Sequence, residues 1–218
     1  MGNEQIYTHK LIEKMQISDY AVKFFNSLFP NGGTAIEILK RYTELGYFSF
    51  AKDILKEFPN IDESFEFDTV EDGSIFSLGD VFIKGDAHIS KPSYIKGILQ
   101  VDGKLTVNKT GFIHALDVIA NEIDISEQGH IHAPVTSKSF LNIHDISLPE
   151  NTTALEFSIN LLDCTIFGNV RAEIINIDGG LIFGYVFISD IKNINIINNG
   201  EIDGEIIVRK PRLRTKNE

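Results

Sequence analysis

The chain has 218 residues, 43% hydrophobic and 23% charged, with one cysteine and a net charge of −11. This length supports one or two domains with a buried core, and a lone thiol excludes an internal disulfide framework and fits a reducing compartment. The longest uncharged apolar stretch, 179–189, is too short for the roughly 20 residues of a membrane span, so no membrane insertion is expected.

Residues 1–60 read as a helical domain. Apolar residues at helical spacing run through 6–29 (Leu11, Met15, Ile17, Ala21, Phe24, Phe25) until Pro30-Asn31-Gly32-Gly33 breaks the pattern. Thr34 and Glu37 then form a capping box that starts a second helix, which ends at Gly46. A third helix over 48–58 stops before Pro59. Three short helices bury little alone, so they are expected to dock on the region C-terminal to them. Residues 61–75 read as an acidic connector and a first irregular strand that caps the next region.

From 76 to 208 the chain reads as β. Ile83, Ile89, Ile95, Val101, Val107, Ile113, Ile119, Ile125 and Ile131 stand six residues apart. A helix stripe needs about 3.6 and a plain strand 2, so the period of six indicates short strands that turn a corner once per hexad, a parallel β-helix. The fifth position of each hexad shares the inward side and holds Ala87, Leu99, Leu105, Ile123 and Val135. Gly85, Gly97 and Gly103 occupy the third, read as corners needing permissive backbone angles. The phase slips after 147–153 and resumes at Ile182, Ile188 and Ile194 and at Ile196, Ile202 and Val208. Three hexads per turn give about seven coils stacked about 4.8 Å apart. Cys164, in an apolar run, reads as a buried core thiol.

Residues 209–218 form a basic tail with five basic groups and one acidic one. The other 208 residues hold 15 basic and 30 acidic residues, a net charge of −15 that repels the nucleic-acid backbone. No secretory leader is evident, so a cytoplasmic protein is expected.

Coils of 18 residues would stack Ile95, Ile113 and Ile131 on one face. Their outward neighbours Tyr94, Lys96, Phe112, His114, His130 and His132 would then share that face. Rings with polar rims suit a docking surface for the helical domain or for a partner chain. His114, His130 and His132 are also a weak metal candidate, with no carboxylate or thiol to complete the set. A second face carries His88, Thr106, Asn108, Asp124 and Asn142; a third carries Gln100, Asp102, Val118, Ala120, Thr136 and Lys138. No nucleophile elbow, phosphate loop or zinc-protease motif is present, so neither enzymatic activity nor a cofactor is expected.

The segments at 95–107 and 200–208 resemble the core repeats of bactofilins, polymer-forming cytoskeletal proteins of bacteria. The resemblance covers roughly 80–208. It implies a right-handed β-helix that polymerises end to end through its terminal coils without nucleotide. Bactofilin cores are flanked by short tails, whereas a helical domain precedes this one, and a cap over the N-terminal end would block one polymer interface.

The leading expectation is thus a non-enzymatic structural protein that binds copies of itself or another protein. Two alternatives remain. The acidic body fits an inhibitor, of the immunity-protein or DNA-mimic type, directed at a basic partner. The hexads also admit a hexapeptide-repeat acyltransferase with a histidine base, although that family places glycine one position earlier.

Overall fold

The computed structural model describes residues 5–15, 17–59, 61–139, 141–144, 147–148, 152–154, 158–163 and 165–208. The expectations for Cys164 and for the basic tail fall outside the described residues. The fold is mainly β: a parallel β-solenoid of about seven turns with a few helices at its N-terminal side.

The N-terminal region departs from the sequence reading at its start. The stretch 6–29 is not one helix. Ile6–Tyr7 is a short strand, paired antiparallel with Gly33–Thr34, followed by α1 (His9–Ile12) and α2 (Asp19–Leu28). Ser18 divides them, because its hydroxyl accepts from the Ala21 amide at 3.2 Å and so caps α2. The capping box forms as expected. Thr34 accepts from the Glu37 amide at 3.3 Å, and the Glu37 carboxylate accepts from the Thr34 amide at 2.8 Å, starting α3 (Ala35–Glu44). Next comes α4 (Phe48–Glu57).

The solenoid comes next, three strands to a turn and every rung parallel. One face begins with Ser64–Phe67 and Asp80–Ile83, the next with Val70–Gly73 and Ala87–Ile89. The third stacks Phe76–Ser77, Pro92–Ile95, Phe112–His114 and His130–His132. Branched aliphatics from all three faces merge in one continuous core.

Two features of the hexad reading need correction. Ile119 is half-buried and faces outward, while Val118 and Ala120 are fully buried. The pairing of Asp117–Ile125 with Ile98–Val107 runs 19 residues apart at Val118 and Leu99, then returns to 18 beyond a bulge between Ala120 and Glu122. An odd slip inverts every side chain it covers. Ile113 lies over Ile131's strand as expected, but it pairs with Ser93, and Ile95 pairs with Ser77. This slip is two residues, taken up by the longer corner at 108–111, where Lys109 adopts a positive φ of 55°. An even slip leaves the inward and outward sets unchanged, so Ile95 is still buried in the same core.

The corner glycines also have a different reason from the one expected. Gly97 and Gly103 are not at positive φ. They are needed because each coil lies hard against the one below. A Cβ on Gly97 would stand 2.7 Å from the Asp80 backbone nitrogen, and one on Gly103 2.7 Å from the Gly85 carbonyl carbon. In each case an aspartate of the lower coil holds the corner, Asp80 accepting from the Ile98 amide and Asp86 from the Lys104 amide, both at 2.8 Å.

The helices have a core of their own, built on Phe25, Ile38, Leu39, Tyr42, Ile54 and Phe58. Leu78 and Tyr94 of the solenoid belong to it, with Phe76 and Phe112 packed against it. The helical domain therefore lies along a lateral face of the first turns, and does not close the N-terminal end. Two of the three first strands, Ser64–Phe67 and Val70–Gly73, stay exposed there, with Phe67 40% accessible, while Phe76–Ser77 lies against α3 with Ser77 buried.

Candidate interaction surfaces

Outward side chains on one face of a parallel stack repeat at every rung, so rings placed there form a ladder. Tyr94, Lys96, Phe112, His114, His130 and His132 all lie on the third face. The Phe76 and Tyr94 rings are 6.3 Å apart, Tyr94 and Phe112 5.9 Å, Phe112 and His130 5.7 Å, and His114 and His132 5.2 Å. The two-residue slip sets Tyr94 beside His114 and Pro92 beside Phe112, and the ladder survives because the slip is even.

The first turns of this ladder meet α4. The Tyr94 hydroxyl donates to the Phe48 carbonyl at 3.1 Å, and burial raises its pKa. Lys96 donates to the Lys56 carbonyl at 2.8 Å and to that of Phe58, at the helix end where the dipole favours a cation. Burial lowers the Lys96 pKa, with Glu57 opposing. On the next rungs Lys52 Nζ lies 2.9 Å from His132 Nε2. His114 is held at about 4, first by burial and then by His132, Lys52 and Lys56, and its buried Nδ1 has no hydrogen-bond partner. His130 is lowered by burial and by His132.

This geometry corrects the weak metal candidate. His114 and His132 stack 19° from parallel, and the nitrogen His132 would offer already meets an ammonium. Among the described residues no group of three histidine, cysteine or carboxylate side chains could hold an ion. The partners on α4 were not legible beforehand, because a docking contact across 80 residues has no local signature.

The second face carries a polar column. Asn160 donates to Asn142 at 2.8 Å and Asn176 to Asn160 at 2.7 Å, with Asn195 next in register. At its start lies an open groove of about 550 Å³ lined by Glu71, Asp86, His88, Lys104, Thr106 and Asn108. His88 is tied to the Asn108 side-chain oxygen at 2.8 Å.

The two axial ends are the remaining surfaces. Ser64–Phe67, Val70–Gly73 and Phe76–Ser77 each pair on one side only, as do Ile194–Ile197, Glu201–Asp203 and Ile206–Val208 among the described residues. The apolar core reaches the second end, with Ile196 42% and Val208 49% accessible. Residues 61–79 hold six carboxylates and no basic group, and the hydrogen bond from Ser90 keeps the Asp72 carboxyl below its usual range. Lys84 from the second turn approaches Glu66 at 3.1 Å and Asp68 at 3.7 Å. Residues 188–208 hold four carboxylates and one lysine. Among the described residues, no helix is long and apolar enough to cross a membrane. Comparison with protein-family models, curated proteins and solved structures finds no match, so the solenoid with its lateral helical domain is what characterises the chain.

Proposed function

We propose that this protein is a non-enzymatic structural component that associates with copies of itself, end to end, through the terminal coils of its solenoid. One observation carries the reading: among the described residues both ends of the stack are unpaired strand edges, because the helical domain docks laterally and leaves Ser64–Phe67 and Val70–Gly73 uncovered. An unpaired edge is a template for strand addition, and exposed core residues at the second end supply apolar area to bury. The bactofilin-like repeats support the same mode of assembly. The ring ladder is less suited to a partner in this state, since the protein's own helices cover its first turns.

Light scattering coupled to size exclusion tests this. The wild-type chain is expected to run as a concentration-dependent series of oligomers. Ile196→Lys with Val208→Lys, both at exposed positions, is expected to give monomers with the fold intact by circular dichroism. Lysine opposes the acidic charge of both ends, so loss of assembly would report burial of the strand ends, not repulsion. A wild-type chain that stays monomeric at every concentration would remove the proposal. A closed trimer that binds acyl-CoA would favour the acyltransferase alternative, and a salt-sensitive complex with a basic protein the inhibitor alternative.

A further inference from the structure

Stacked end to end, the described parts of two copies would repel. The first end presents Asp62, Glu63, Glu66, Asp68, Glu71 and Asp72, relieved in part by Lys84 and, around Asp72, by Lys109, His88 and Lys91. The second presents Asp190, Glu201, Asp203 and Glu205 against Lys192. Two acidic surfaces brought to strand-pairing distance, about 4.8 Å, lie well within a Debye length of about 8 Å at physiological salt. Apolar burial at the rim of the core would have to overcome that repulsion at every junction.

The sequence places the opposite charge at the required location. Directly after Val208, the last residue of the final strand, come Arg209, Lys210, Arg212, Arg214 and Lys216. No other ten-residue stretch holds five basic groups. We infer that this basic segment is the electrostatic bridge of the junction: it engages the acidic first turn of the next copy, and so fixes a head-to-tail polarity. The occupant of the acidic end is thus a second copy of this chain. Head-to-head contact would oppose six carboxylates to six, and tail-to-tail contact would bring together two ends on which the basic groups slightly outnumber the carboxylates, so charge favours the mixed junction. This inference rests on end-to-end association and adds its polarity and its control by ionic strength.

The test replaces the five basic residues with glutamine in the full chain: Arg209→Gln, Lys210→Gln, Arg212→Gln, Arg214→Gln and Lys216→Gln. Association is followed by light scattering from low to high salt, with thermal unfolding to establish that the variant folds. The wild-type assembly is expected to weaken as salt rises, because attraction is being screened. The glutamine variant is expected to associate at least about tenfold more weakly at low salt, and to gain association with added salt, because only repulsion between the acidic ends remains to be screened. A salt dependence of opposite sign in the two proteins is the signature. Equal association with equal salt dependence would overturn the inference while leaving end-to-end association standing. Stronger association by the variant would also overturn it, showing that the segment shields its own chain's edge. A wild-type chain that never associates removes the inference together with the reading beneath it.

Discussion

His114 sits in an environment that opposes its charge. It is held at about 4, against 6.5 for an unperturbed imidazole, because burial and the neighbouring His132, Lys52 and Lys56 all disfavour its charged form. Between those values the folded chain binds fewer protons at this site than the unfolded chain. The stability this site contributes is therefore complete above about pH 6.5 and declines as the pH falls toward 4. His130, also lowered, acts in the same direction. The melting temperature is expected to be lower at pH 5 than at pH 7.5, and His114→Leu is expected to narrow that difference; an unchanged difference would mean that acid acts elsewhere. At Gly97 the limit is steric. Gly97→Ala puts a methyl group against backbone that has no room to retreat, and the expected loss is roughly 1–3 kcal/mol by urea unfolding. A neutral substitution would show that the corner can widen.

Among the elements, α4 joins the two cores. It meets the solenoid through Tyr94 at its start, Lys52 in its middle and Lys96 at its end. Lys96→Met keeps most of the aliphatic stem and removes the donor to the two carbonyls. The expected cost is roughly 1–2 kcal/mol, seen as faster amide exchange in α4 with the solenoid strands unaffected; uniform acceleration would mean that the two cores unfold as one. The same elements show what a sequence can disclose. The Thr34–Glu37 box was legible because every atom it needs lies within four residues. The inward column was legible because burial in a stack repeats. The slips at Ile119 and Ile113 were not, since they depend on how many residues each corner consumes, and a corner is settled by the coil beneath it, as Asp80 beneath Gly97 shows. The six outward residues of the ladder could be grouped because an even slip preserves the side they face. Their contacts with α4 could not, because nothing near Lys52 in the sequence signals His132. The break at Ser18 went unread because the apolar spacing continues through it.

On the scale of the whole molecule, charge and topology act together. In the proposed assembly the acidic body would hold chains apart, the exposed strand edges would give them a way to join, and the basic residues that follow Val208 in the sequence would reverse the local sign. The lateral seat of the helices has a further consequence. Since they sit beside the axis, each subunit in a continuous fibre would add one globular knob to an otherwise smooth rod. With about seven turns per chain at about 4.8 Å each, those knobs would recur roughly every 35 Å, a periodic row of identical platforms along a stiff track.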